Sequence, residues 1–127
     1  MHRFLISAAH KSSGKTTISI GLAAALSSGH PLRMSVQPFK KGPDYIDPLW
    51  LSVAAGRPCY NLDFFLSPDV ELQAEFARHG HDAEVCLVEG NKGLYDGLDL
   101  EGSNSNAALA RLLDLPVVLV LDARGMT

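Results

Sequence analysis

The sequence predicts an open α/β fold, a parallel sheet with helices on both faces. Short apolar runs alternate with helix-like stretches along the whole chain. The first run, Phe4-Leu5-Ile6, leads through the loop SAAHKSSGKTT into a helical segment. The last, VVLVLDA, is continuously apolar, as a central parallel strand covered on both faces would be. At 127 residues the chain is of single-domain size.

Each element has its own local reason. The first strand is expected over Arg3 to Ala8. The helix after it runs from Lys15 to Ser27, with Ile18, Leu22 and Leu26 on one stripe and Gly29 as its C′ residue. A second strand spans Met34 to Lys40, interrupted by Pro38. The loop GPDYIDP carries two prolines and a glycine, and a short helix over Leu49 to Ala55 follows it and ends at Gly56. Ser67 is placed to cap a helix that starts at Pro68, has Asp69 and Glu71 in its first turn, buries Val70, Ala74 and Ala77 or their neighbours, and stops at Gly80. Glu84 to Val88 reads as a strand ending at Glu89-Gly90, before the loop NKGLYDG. Ser103 or Asn104 caps a helix carrying Ala108, Leu109, Leu112 and Leu113, and Pro116 to Ala123 forms the last strand. A doubly wound sheet covers such a strand with a helix, so the chain is expected to be the first part of a longer protein.

Composition narrows the function. Hydrophobic residues make up 46% and charged residues 20%, an ordinary globular balance. A net charge of −3 argues against a broad basic face for nucleic acid. Cys59 and Cys86 are too few for a disulfide framework or a zinc site, and Cys86 sits in an apolar run as a small hydrophobe. No apolar stretch has the length or flanks of a signal or membrane span, so a cytoplasmic location without membrane partners is expected.

The chemistry starts at the first loop. Lys11, Ser12, Ser13, Gly14, Lys15, Thr16 and Thr17 match the end of a phosphate-binding loop, although Ala9 stands where that motif has its first glycine. Free N–H groups and the helix dipole favour an anion there; Lys15 would reach the β- and γ-phosphates and Thr16 would ligate Mg²⁺. The alternative is a Gly–Lys turn that precedes a helix. With the strand before the loop, the helix after it and the alternation of strands and helices, this makes the expected class a P-loop NTPase-like α/β sheet. In such sheets ligands lie beyond the carboxyl ends of the strands. Those ends deliver Lys40, Lys41 and Asp44 from the second strand, Glu89 from the next, and Asp122 and Arg124 from the last. Glu89 suits Mg²⁺, with Thr16 and an aspartate of GPDYID beside it. Gly90 would let its backbone N–H approach the γ-phosphate. The plainer alternatives are a solvated strand end for Glu89, an exposed base for Lys40 and turn-forming aspartates at Asp44, Asp47 and Asp96. His79 and His81 read as a solvated connection, His10 equally as a phosphate contact or a tolerated loop residue, and Trp50, Phe64 and Phe65 as core.

Four further motifs, FKKGPDYIDP, GRPCYNLD, EGNKGLYDG and LDARGM, follow SSGKTT in order. With them the chain resembles the amino-terminal ATP-binding domain of the cobyrinic acid a,c-diamide synthase family. The resemblance implies ATP-dependent amidation of tetrapyrrole carboxylates through an acyl phosphate, with ATP and Mg²⁺ as cofactors. It implies that Lys15 and Lys40 stabilise the transferring phosphoryl group, and that Thr16, Asp44 and Glu89 hold Mg²⁺. Asp47 and Asp96 would then be catalytic, with Tyr45, Lys92 and Tyr95 facing the substrate. It further implies glutamine as nitrogen source, cleaved in a carboxy-terminal amidotransferase domain that is not in this sequence. Apart from the resemblance, a homodimer is a further expectation. Lys41 and the EGNKGLYDG form are similar to the relatives that amidate sirohaem, where Lys92 would meet an extra carboxylate. Two rivals share the sheet. The partitioning-type ATPase switch carries a signature lysine where this chain has His10, and dethiobiotin synthetase lacks GPDYIDP and GLYDG.

Overall fold

The computed structural model of this chain describes residues 2–10, 14–29, 31, 33–97 and 101–125. Strands β1 (His2–Ala8), β2 (Val36–Lys41), β3 (Tyr60–Leu62), β4 (Val85–Glu89) and β5 (Val117–Val120) pair in the order β3-β2-β4-β1-β5, parallel throughout. Helices α1 (Lys15–Ser28), α2 (Asp47–Ala55), α3 (Asp69–Gly80) and α4 (Asn106–Leu113) fill the connections. The fold is the P-loop NTPase-like open sheet, with helices on both faces. Ile6, Val36, Val85 and Leu87 form one core cluster with Ala23 of α1 and Leu51 of α2. Leu5, Phe39, Cys86 and Val88 form the other with Leu72 and Phe76 of α3 and Leu109 of α4. Alternate residues of one strand therefore serve opposite cores. Among the described residues no helix is long and apolar enough to cross a membrane.

Several expectations need correction. β3 is only three residues long, too short to stand out in the sequence. Pro38 does not interrupt β2: β3 pairs only from Phe39 onward, and the Pro38 carbonyl accepts from Gln37 Nε2 at 2.9 Å. The residue lacking an N–H thus faces no strand on that side, which is where a sheet tolerates proline.

α1 buries Lys15, Ser19 and Ala23; Leu22 and Leu26 pack at the margin of the core and Ile18 is exposed. A line of small residues lets the helix lie close to the sheet. Gly29 ends α1 with φ −73°, not in the left-handed C′ conformation. α3 begins after Pro68 with no side-chain cap from Ser67, and it buries Leu72 and Phe76 while Val70 is 75% exposed. Both stripes have helical spacing, and the larger side chains took the core. Ser105 caps α4, its hydroxyl accepting from Ala108 N at 3.1 Å.

β5 is an edge strand paired with β1, shorter than expected, and Val117, Val118 and Leu119 are exposed. Trp50 and Phe65 are exposed as well, while Phe64 packs against the core. His79 lies on α3, stacked on Tyr60 with ring centroids 3.6 Å apart and bonded to Glu75, so it is structural.

The orientation of α3 is directly testable. Phe76→Ala should cost about 3–5 kcal/mol in equilibrium urea unfolding, whereas Val70→Ala should stay within about 0.5 kcal/mol. Equal losses at the two positions would contradict the packing described.

Candidate active site

Period two along the strands decides which side chains meet. Glu89 continues the Val85–Leu87 line of β4 and Lys40 the Val36 line of β2, so both point to the α1–α2 face at the carboxyl edge. The register sets Lys40 beside Glu89, and Glu89 beside Ile6, just before the loop that opens α1. Gly14 enters α1 with φ +86°, a turn that glycine takes without strain. Lys11, Ser12 and Ser13 lie outside the described residues.

The result is one tight polar cluster. Lys40 Nζ is 2.9 Å from Glu89 Oε1, 3.2 Å from Asp47 Oδ2 and 3.1 Å from the Gly90 carbonyl. Thr16 Oγ1 donates toward Glu89 Oε1 at 3.0 Å and Asp47 Oδ2 at 3.2 Å. Lys40 is 3% exposed and Glu89 0%, so neither is the solvated strand end that the sequence also allowed. Glu89 Oε2 is buried and has no hydrogen-bond partner among the described residues.

Asp44 plays a different part from Asp47. Its Oδ1 accepts from Ile46 N and Asp47 N at the start of α2, and its Oδ2 lies 3.8 Å from Lys40. The turn-forming reading holds for Asp44, and Asp47 is the aspartate against Thr16.

The electrostatics follow from this crowding. Burial, and then the charge of Lys40, lower the Lys15 ammonium from its ordinary value, against the pull of Glu89 and Asp47. Burial raises Glu89 despite Lys40. Burial acts upward on Asp47 too, but its hydrogen bond with Glu89 and the charge of Lys40 outweigh that and hold it low. The two carboxyls, one raised and one lowered, share this corner with two lysines and a hydroxyl. The orphan Glu89 oxygen fits Mg²⁺, which prefers one or two carboxylates plus phosphate oxygens. Among the described residues no three His, Cys, Asp or Glu side chains stand close enough to hold a metal by themselves. Clefts of about 740 Å³ around Arg3 and Asp114 at the opposite sheet edge and about 330 Å³ between Tyr95 and Arg111 lie away from this cluster. Converging charge marks this site.

Comparison with known proteins agrees with the motifs. The chain is 56% identical over 124 residues to the cobyrinate a,c-diamide synthase of Magnetococcus marinus, covering 98% of the chain and 26% of that protein. Its identity to the synthase of Syntrophotalea carbinolica is 43%, over 98% of the chain and 27% of the relative. Against that of Synechocystis it is 40%, over 97% and 26%. The chain belongs to the cobyrinate a,c-diamide synthase family. It spans about a quarter of the length of these relatives. No family model matches it.

The family motifs fall unevenly around the cluster. Asp96 Oδ2 accepts from Gly93 N at 2.9 Å, and a Cβ on Gly93 would lie 2.6 Å from the Ala9 carbonyl, so this turn packs on the phosphate loop. Tyr45 and Tyr95 are each 78% exposed; Lys92 and Thr17 are exposed too, Lys92 at φ +50°. Asp122 and Arg124 are not drawn in. They bond each other at an exposed position, which holds Asp122 down at about 2. Burial pushes the Cys59 thiol up to about 12 and raises Cys86, so neither is an activated thiolate.

Gly90 corrects the sequence reading. Its N–H donates to the Ile6 carbonyl at 2.8 Å and is not free for a phosphate. The missing Cβ serves Asn106 instead, whose Nδ2 would lie 2.6 Å from it. Asn106, fully buried at the start of α4, escaped the sequence reading. Its one signal was a polar residue inside the turn that opens an apolar helix.

Lys41 points to the other face. Its Nζ donates to Asn91 Oδ1 at 3.0 Å and sits 5.9 Å from the Phe64 ring centroid, beside a cavity of about 50 Å³ that Asp63 also lines. Burial outweighs Asp63 and pushes this ammonium down to about 8. The folded chain therefore holds that proton less tightly than the unfolded chain, with its value of 10.5. The penalty is in full force below pH 8 and is relieved as pH rises to 10.5. Urea titrations should show wild type gaining at most about 3 kcal/mol over that window relative to Lys41→Met. Parallel pH profiles for the two proteins would refute it.

Proposed function

We propose that this chain is the ATP-binding, carboxylate-activating part of a tetrapyrrole amide ligase of the cobyrinate a,c-diamide synthase type. One observation carries the reading: a buried lysine, Lys40, held among Glu89, Asp47 and the Gly90 carbonyl, next to the threonine of the phosphate loop. A cation fixed in a dry setting at the mouth of a phosphate loop stabilises charge on a transferring phosphoryl group without reorganising.

In the reaction a side-chain carboxylate oxygen of the tetrapyrrole attacks the γ-phosphorus of ATP. The bond to the bridging oxygen breaks and ADP leaves. Ammonia then attacks the acyl carbon and loses a proton as phosphate departs, leaving the carboxamide. The N–H groups of the first turn of α1, unused within the helix, receive the phosphates with Lys15. Lys40 stands against the γ-phosphoryl oxygens, and Lys15 assists it. Thr16, Glu89 and an aspartate, Asp47 by its contact and Asp44 behind it, would hold Mg²⁺. When bound, that ion neutralises the β- and γ-phosphate oxygens.

Asp96, from the turn on the phosphate loop, and Asp47 face the incoming carboxylate, and Tyr45 and Tyr95 offer exposed faces to the macrocycle. Glutamine is the source of ammonia, released in another part of the full-length protein. Lys92 and Lys41 lie near enough to repel each other, a cationic pair that suits a more highly carboxylated tetrapyrrole such as sirohaem.

The test gives the full-length protein ATP, Mg²⁺, glutamine and a panel of tetrapyrrole acids, and follows the mass change from carboxylate to carboxamide. Tetrapyrrole-dependent ADP release is expected, falling by about 10²–10³ in Lys40→Met. ATP-dependent dimerisation with no response to any tetrapyrrole would instead favour a switch ATPase.

A further inference from the structure

Lys40 is held by two carboxylates and by one backbone carbonyl, that of Gly90. This carbonyl belongs to the peptide group that also contains the Asn91 N–H. In a trans peptide the two point in opposite directions. The Asn91 N–H donates to Asn106 Oδ1 at 3.1 Å, and Asn106 Nδ2 donates to the Asn91 carbonyl at 2.7 Å. Asn106 thereby grips one residue through both of its backbone groups, as a neighbouring strand would. Its Nδ2 also donates to Ser7 Oγ at 2.9 Å, which ties the grip to β1. Gly90 has no Cβ to fix the orientation of the peptide, and the space a Cβ would take is filled by the Asn106 amide.

We propose that Asn106 is a positioning residue for Lys40. By orienting the Gly90–Asn91 peptide it keeps the carbonyl on Lys40, and so keeps the ammonium aimed into the phosphate-loop crevice. The inference rests on the function proposed above for Lys40. It goes beyond that reading because Asn106 belongs to no recognised motif, lies on the opposite face of the sheet and touches no reacting group. The same grip holds Asn91, whose side-chain oxygen accepts from Lys41, so one buried amide organises both lysines.

The experiment uses the full-length protein and Asn106→Ala, with Asn106→Ser as a second variant should the first not fold. Expected is a fall in kcat of about tenfold or more, the size of one buried hydrogen bond left unmade, with KM for ATP and for the tetrapyrrole acid changed less than about threefold. Hydrogen exchange at the Asn91 amide, read without substrate, should be slow in wild type and fast in the variants. A merely structural role would raise both KM values and lower stability with the turnover. That pattern overturns the inference, as does wild-type kcat in a folded variant, or an unprotected Asn91 amide in wild type. The exchange readout judges the grip even where no tetrapyrrole acid supports turnover. Normal turnover in Asn106→Ala overturns the inference but leaves the proposed function standing.

Discussion

The buried pairing of Lys40 with Glu89 governs this structure. Two opposite charges have left water at the carboxyl edge of the sheet, and desolvation of such a pair commonly outweighs the attraction gained. It is kept in order by satisfying the lysine completely, with two carboxylates and a carbonyl. Among the described residues one Glu89 oxygen is left without a partner. The pairing is therefore closed on the lysine side and, among the described residues, open at one glutamate oxygen.

The neighbouring elements can be understood from that constraint. β4 sits between β2 and β1, so its last residue touches the ends of both. Small residues on α1 bring the helix start down to the same level. Asp44 fixes the first turn of α2 through two backbone amides, which presents Asp47 to Lys40 and Thr16. Carboxylates only three residues apart thus divide the work, one shaping the chain and the other meeting the charge.

Much of this was legible beforehand because strand ends are legible. Apolar runs stop abruptly at Glu89 and at the two lysines, and in a parallel sheet such stops gather on one edge. What stayed hidden depended on choices that a linear pattern leaves equal. α3 offers two apolar stripes, and only packing selects Leu72 and Phe76. Ser103, Asn104 and Ser105 are all capping residues, and the turn before them decides for Ser105. β3 gains its pairing from β2 rather than from its own three residues. At Gly90 the sequence suggests a backbone N–H for a phosphate, whereas that N–H is spent on Ile6 and the group that comes close is an amide side chain. The run VVLVLDA was expected in the middle of the sheet, whereas β5 lies at its edge among the described residues.

The adjacency of Lys40 and Lys41 has an evolutionary consequence. Because neighbours on a strand serve opposite sides, mutation at the second lysine can retune one compartment while the first keeps its company. A deletion or insertion of a single residue upstream within β2 would do the reverse, exchanging the occupants of the two compartments at one stroke. Lineages carrying this segment should therefore tolerate replacements at position 41 far more readily than any change in the length of the strand that bears it.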